Sequence, residues 1–276
     1  MSFKVNTSLD GKKVILLGAG QIGAKVLDYI NEFDTEVLII DIDKPVNIKE
    51  GNQFEHFDCT KLDKIASTFE NVILEFGVPD LFINASYPKN SNWANCDFDN
   101  QNSLDTIENI NFHLGSYTVL SKIICEKMKS ADVSGSVVLL NSIYGIVAQD
   151  EELYAEEKIN MSVPYPVIKS GIGGLTRQLS SYYGKYGIRI NSICSGGIKG
   201  KVSGSEADMD NSFAEKYLKK VPLRRMATTD DIANMVCFLG SDASSYITGQ
   251  NIPVDGGYSV ICCLLYTSDA ADDVIS

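Results

Sequence analysis

The stretch from Val14 to Asp41 constrains the fold more than any other. Val14-Ile15-Leu16-Leu17 is a short apolar run, the pattern of a strand buried on both faces. It ends at Gly18-Ala19-Gly20-Gln21-Ile22-Gly23. Apolar positions at Ile22, Val26, Leu27 and Ile30 then recur at helical spacing, and Glu36-Val37-Leu38-Ile39-Ile40-Asp41 reads as a second buried strand. The unit is therefore strand, glycine turn, helix, strand. Glycines at such a turn permit a tight bend and let the backbone approach a pyrophosphate at a helix N-terminus. Asp41 lies 23 residues after Gly18, where a carboxylate binds adenosine ribose hydroxyls. Its charge would repel a 2′-phosphate, so NAD is expected in preference to NADP. The bland alternative for Asp41 is a solvated turn acid.

The alternation continues. Strands are predicted at Phe54 to Phe57, Asp80 to Ala85, Ser136 to Ser142, Ile188 to Ile193 and Asn251 to Asp255. Between them lie amphipathic segments from Lys61 to Glu75 and from Leu104 to Met128, the second containing Asn111. Two short helices are predicted at about 211–219 and 229–239, and loops at 88–103 and 199–210. Such alternation means an α/β fold, a Rossmann-type doubly wound parallel sheet of about seven strands covered on both faces, in a single domain over residues 1–262. Ligands of such sheets sit at the C-terminal strand ends, where Gly18, Asp41, Asp58, Asn84 and Ser142 fall.

Composition removes several classes of function. A net charge of −12 argues against nucleic acid or anionic membrane as partner. No apolar run approaches the ~18 residues of a membrane span, and the N-terminus has no apolar signal core, so a cytoplasmic protein is expected. Seven cysteines form no Cys-x-x-Cys and no His/Cys metal spacing, so free thiols and no metal are expected. Residues 263–276 are set apart: Cys263 to Asp273 resembles the translation of a sequencing adapter and is excluded from the fold.

The chemistry is concentrated at Tyr165 and Lys169. Apolar residues at Ile168, Ile172, Leu175 and Leu179 form one helical stripe, and Pro164 and Pro166 fit only a first turn. The helix is predicted from near Pro164 to about Tyr183, stopped by Gly184. Tyr165 and Lys169 are then one turn apart on one face. A neighbouring cation favours phenolate, which makes the pair an acid/base for an alcohol or ketone. A second Tyr-x-x-x-Lys, Tyr154 and Lys158, is followed by two prolines and no apolar stripe.

Together these residues resemble the short-chain dehydrogenase/reductase family over nearly all of 10–260. The resemblance is carried by the glycine turn, Asp58-Cys59-Thr60, Asn84-Ala85, Asn111, Ser142, Tyr165-x-x-x-Lys169, Arg189-Ile190-Asn191, Ser245 to Gln250 and Val254-Asp255-Gly256-Gly257. More narrowly, Asn84-Ala85-Ser86-Tyr87-Pro88, Asn109 to Gly115 and Ser142-Ile143-Tyr144-Gly145 are similar to a branch of flagellin-modification and surface-sugar oxidoreductases. Four positions depart from the family pattern. Leu17 or Gly18 stands for the first glycine of the turn and Gln21 for the second, Ser86 replaces a glycine, and Ser195 replaces a proline before Gly196. The last change implies a looser loop over the nicotinamide carboxamide. Tyr154 has the usual family distance from Ser142, but the helix after Tyr165 selects the latter. Residues 146–162 then form an inserted loop over the active site.

The resemblance implies hydride transfer between a nicotinamide and a carbinol or carbonyl carbon. It implies Tyr165 as proton donor or acceptor and Lys169 as holder of the phenolate and the nicotinamide ribose. It implies Ser142 as hydrogen-bond donor to the substrate oxygen and Asn111 as anchor of a water behind Lys169. Gly18, Gln21, Ile22, Gly23, Asp41, Asp58, Cys59, Asn84, Ala85, Ser86, Gly196 and Ile198 would hold NAD together with Tyr165 and Lys169. His113 and His56 read as packing or surface residues. Tyr144 and Tyr87 are candidates to stack on a sugar. A small-molecule carbonyl or alcohol, a sugar or nucleotide-sugar, is the expected partner, in a homodimer or homotetramer. The competing functions are a ketoacyl or polyol reductase, which an apolar lining of the 146–162 loop would favour, and a non-catalytic dinucleotide sensor. Glu151, Glu152, Glu156 and Glu157 weigh against that apolar lining.

Overall fold

The computed structural model describes residues 6–100, 102–154, 161–200 and 211–261. Seven parallel strands form one sheet: β1 (Lys13–Leu17), β2 (Glu36–Asp41), β3 (Gln53–His56), β4 (Leu81–Asn84), β5 (Ser136–Ser142), β6 (Arg189–Ser195) and β7 (Asn251–Val254), in the order β3-β2-β1-β4-β5-β6-β7. The order reverses between β1 and β4, which opens a crevice at their C-terminal ends. The connecting helices are α1 (Gln21–Ile30), α2 (Ile65–Phe76), α3 (Ser103–Ile110), α4 (Ser116–Ser130), α5 (Glu151–Tyr154), α6 (Pro164–Tyr183), α7 (Asn211–Lys219) and α8 (Thr229–Gly240).

The strand pleat divides the apolar residues between two layers. Ile15, Leu17, Phe82, Val137 and Leu139 face α2, α4 and α6, where they meet Phe69, Tyr117, Leu120 and Ile172. Val14, Leu16, Ile83, Val138 and Leu140 point the other way, onto Val26 and Leu27 of α1 and Ile232 and Val236 of α8. Both faces are thus dry, as the continuous apolar strands require.

Most predicted elements are found within one or two residues of their expected ends; α6 has the expected bounds, with its prolines in the first turn. Two stretches differ. The helix expected over 104–128 is broken by a π turn, Asn111–Gly115, between α3 and α4. The 88–103 stretch is no simple loop. Trp93–Asn95 is a 3-10 turn, Asn90 is bonded to Asn109, and Asp97 and Cys96 pair with Ser162 and Val163. This segment therefore fixes the entry into α6. In the expected 146–162 loop, residues 151–154 are helical. Residues 155–160, 201–210 and the adapter-like tail lie outside the described residues. Among the described residues no helix is long and apolar enough to cross a membrane.

Candidate active site

The glycine turn is wedged between two strand ends. Gly18 has φ +92°, and a Cβ there would stand 2.4 Å from the Ser86 nitrogen, so the turn lies directly on the end of β4. Gly18 N–H donates to the Ile40 carbonyl at 2.8 Å, and Ala19 N–H donates to Asp41 Oδ2 at 2.5 Å. Asp41 thus reaches from the end of β2 to the turn itself. A Cβ on Gly23 would meet the Gly18 carbonyl at 1.9 Å, which keeps α1 close against the turn. A Cβ on Gly20 would meet nothing within 4 Å, and Gly20 offers no side chain to cap α1. An open face at an uncapped helix N-terminus fits a pyrophosphate.

Farther along the crevice, Asp58 Oδ1 accepts from Thr60 N–H at 2.9 Å and Thr60 Oγ at 2.6 Å. Burial alone would raise the Asp58 carboxyl, but these bonds and the Lys61 charge outweigh it and leave it lowered. The Cys59 thiol is buried and pushed up to about 12, mainly by desolvation, so it is no nucleophile. Asn84 is fully buried, and its Oδ1 accepts from Ser86 N–H at 3.1 Å and Ser86 Oγ at 2.7 Å. Its Nδ2 has no partner among the described residues. Ser86 thus serves as a clip on Asn84. Ile22 is half-buried against the α1 and α8 layer.

The loop after β6 is pinned rather than slack. Gly196 N–H donates to Val254 O at 3.0 Å, Gly197 N–H to Tyr217 Oη at 2.7 Å and Lys199 N–H to Ala227 O at 2.9 Å, and Ile198 bridges to Ala227. The looseness expected from Ser195 is absent because α7 and the segment after it hold the loop. Gln21, standing where the family pattern has glycine, donates from Nε2 to the Lys199 carbonyl at 2.9 Å and so spans the two sides of the crevice.

Ser142 and the Tyr165–Lys169 pair are brought together by a close backbone approach. Ser142 is buried at the end of β5, and its Oγ accepts from Tyr144 N–H at 3.2 Å. The 3-10 turn that follows, Ile143–Gly145, lies against α6: a Cβ on Gly145 would be 2.7 Å from the Lys169 carbonyl, and Ser170 Oγ donates to Gly145 O at 3.2 Å. Tyr165 is half-buried in the first turn of α6. Tyr87, Trp93 and Tyr144 surround its ring at centroid distances of 6.3, 6.2 and 6.3 Å. Lys169 is 4% exposed, with Nζ 5.6 Å from the Tyr165 ring centroid. Burial brings its ammonium down to about 7, against a smaller opposing effect of Cys194.

Asn111 is not delivered to this cluster. It is exposed at the start of the π turn; the residue the turn places beside Lys169 is His113, with Nε2 3.4 Å from Nζ. A signal for this was present: the buried stripe Tyr117, Leu120, Ile124 and Met128, extended back by four residues, falls on His113.

Tyr154 has a different setting. Its hydroxyl donates to Tyr144 Oη at 3.2 Å and accepts from Gln149 at 2.9 Å, with its ring against Phe213. Lys158, its sequence partner, lies outside the described residues. Val147, Leu153 and Tyr154 join Phe213, Tyr217, Val221 and Tyr258 in a small cluster beside the Ser142 turn. Glu151 and Glu152 are exposed, and Lys220 pairs with Asp150 and Glu152. Glu151 and Glu152 thus stand in solvent, outside that apolar cluster. Glu156 and Glu157 lie outside the described residues.

The glycine turn, Asp41 and the cluster of Ser142, Tyr165 and Lys169 thus stand at the C-terminal ends of one parallel sheet. Residues 18–259 match the family model described as enoyl-(acyl carrier protein) reductase, and the chain belongs to the short-chain dehydrogenase/reductase family of oxidoreductases. It is 27% identical over 263 residues to the post-translational flagellin modification protein A of Campylobacter coli, covering 91% of this chain and 100% of that protein. It is 31% identical over 206 residues to the 3-oxoacyl-(acyl-carrier-protein) reductase of Chlamydia trachomatis serovar D, covering 74% and 75%. A solved short-chain dehydrogenase from Leptospira borgpetersenii with bound NAD+ superposes with a TM-score of 0.79 at 29% identity, covering 91% of this chain and 94% of that one.

Proposed function

We propose that this chain is an NAD-dependent oxidoreductase interconverting a secondary alcohol and a ketone on a sugar or nucleotide-sugar of surface-glycan or flagellin modification. The observation that carries the chemistry is Lys169 buried one turn below Tyr165, with the Ser142 turn packed against both. Bound NAD(H) would supply or accept the hydride. Gly18 to Gly23, Asp41, Asp58, Asn84 to Ser86 and Gly196 to Ile198 would hold it. Tyr165 gives its hydroxyl proton to the carbonyl oxygen in reduction and takes it back in oxidation. Lys169 favours phenolate character in Tyr165, and Ser142 Oγ–H donates to the substrate oxygen as charge develops there. The sugar assignment is supported by aromatic rings flanking Tyr165 and by likeness to the flagellin-modification protein over its whole length. A ketoacyl or polyol substrate is the second reading, favoured by the apolar cluster at Val147 and Leu153. Both readings place the enzyme in the cytoplasm, as a homodimer or homotetramer.

Rates of NADH and NADPH oxidation with keto-sugars, ketoacyl thioesters and polyol-derived ketones test these readings. Turnover of keto-sugars well above ketoacyl thioesters supports the first; the reverse order supports the second. Asp41 should hold the preference for NADH at about tenfold or more, since ~1.4 kcal/mol of repulsion suffices. Asp41→Ser should remove most of that preference, and an NADPH preference in the wild-type chain would refute the assignment.

A further inference from the structure

We propose that His113 is a positioning residue for this reaction: its Nε2 accepts a hydrogen bond from Lys169 Nζ and keeps that side chain charged beside Tyr165. The inference rests on the Tyr165–Lys169 reading above and names a group that reading does not use. His113 is fully buried in the π turn between α3 and α4, and its ring packs edge-on to Tyr87 at 4.8 Å and tilted against Tyr117 at 5.3 Å. An ammonium only donates, so the 3.4 Å contact requires a bare Nε2 and a proton on Nδ1. Nδ1 finds no partner among the described residues. For stability alone, a hydrocarbon of similar shape would serve better than an imidazole with one nitrogen unsatisfied. The contact with Lys169 gives the imidazole a purpose.

Lys169 has few other means of staying charged. Among the described residues, those facing it are Tyr165 on its own helix, Tyr87 after β4, Tyr117 on α4, His113 on the π turn and Cys194 on β6. None is a carboxylate. Its hydrogen-bond acceptors among the described residues are His113 Nε2 and the Leu140 carbonyl, each at 3.4 Å. Desolvation already disfavours the charged forms of both Lys169 and His113, and the Lys169 charge further opposes protonation of the ring. The imidazole therefore stays neutral and available as an acceptor. Removing it withdraws a hydrogen bond made to the ammonium, so Lys169 loses its proton at lower pH.

The test pairs a pH profile with a direct view of the ring. In His113→Phe, the loss of kcat as pH rises should set in about one pH unit lower than in wild type, the effect of one charge-assisted bond. In His113→Asn, whose amide oxygen is an acceptor, that limb should return to within about 0.3 units. Nitrogen-15 spectra of the ligand-free protein supply a readout independent of turnover. The chain has two histidines, His56 and His113, so His56→Gln assigns the signals. The expected state of His113 at neutral pH is Nδ1–H with a bare Nε2. An unshifted limb in His113→Phe, or an Nε2–H ring in wild type, overturns the proposal. Should His113→Phe not fold, the wild-type ring still decides. A wild-type chain that turns over no ketone would reject the proposed function instead, and the spectra would still report on the His113–Lys169 contact.

Discussion

Tyr165→Phe should lower kcat by about 10²–10⁴-fold, the usual contribution of a placed proton donor, while NADH binding stays within about threefold of wild type. The substitution removes one oxygen and leaves the aromatic packing against Tyr87, Trp93 and Tyr144 in place. The fold should therefore be unaffected. Tyr154→Phe is the matched control, because Tyr154 stands at the family's usual distance from Ser142 and is the other phenol followed by Lys after three residues. Its hydroxyl is engaged with Tyr144 and Gln149, so its loss should change kcat by no more than about threefold, with any loss of stability near the ~1 kcal/mol of a hydrogen bond. Stopped-flow NADH oxidation separates the chemical step from product release. Normal turnover in Tyr165→Phe together with loss in Tyr154→Phe would reverse the assignment.

Gly18→Ala should be the most damaging single-methyl change in the nucleotide crevice. The residue has φ +92°, which L side chains rarely adopt, and the new Cβ would stand 2.4 Å from Ser86 N and 2.6 Å from the Ala85 carbonyl carbon. Strain and overpacking each cost about 1–3 kcal/mol, so a loss of ~2–6 kcal/mol is expected, or a fall in Tm of roughly 5–20 °C. NADH binding should be lost with it. Gly20→Ala separates the two effects. Gly20 has φ −66°, and its Cβ would meet no protein atom within 4 Å. Stability should change by less than ~0.5 kcal/mol, while NADH binds at least about tenfold more weakly because the methyl enters the pyrophosphate face. Calorimetry and fluorescence titration of both variants check the pair. Equal NADH affinity in Gly20→Ala and wild type would place the pyrophosphate elsewhere.

The sheet and its helices were legible because each depends on local pattern. The apolar run ending at Gly18, the stripe after Pro164 and the strand ending at Ser142 each carry their own period and stop signal. The choice of Tyr165 over Tyr154 came from the same source: only one of them opens a continuous apolar stripe. What was not legible depends on contacts between distant segments. The pairing of Asp97 with Ser162 has no periodic trace, and neither has the reach of Gln21 to Lys199. The π turn inserts a residue into a helical ladder, and its consequence is that His113, not Asn111, meets Lys169. The Asn111 expectation followed the motif; the buried stripe through Tyr117 pointed to His113. Likewise, nothing in the order of residues shows that Glu151 and Glu152 of the 146–162 loop face solvent.

In the proposed function, this crevice moves a hydride between a nicotinamide and a ketone carbon, with Tyr165 supplying the proton. NADH carrying deuterium at both C4 positions, incubated with the protein and the keto-sugars, ketoacyl thioesters and other ketones above, tests it most directly by mass spectrometry of the products. One deuterium is expected at the carbinol carbon of a keto-sugar product with the wild-type chain, and the same label accumulating about 10²–10⁴-fold more slowly with Tyr165→Phe. Tight NADH binding with no label in any product would contradict it and mark the chain as a dinucleotide-binding protein without this activity.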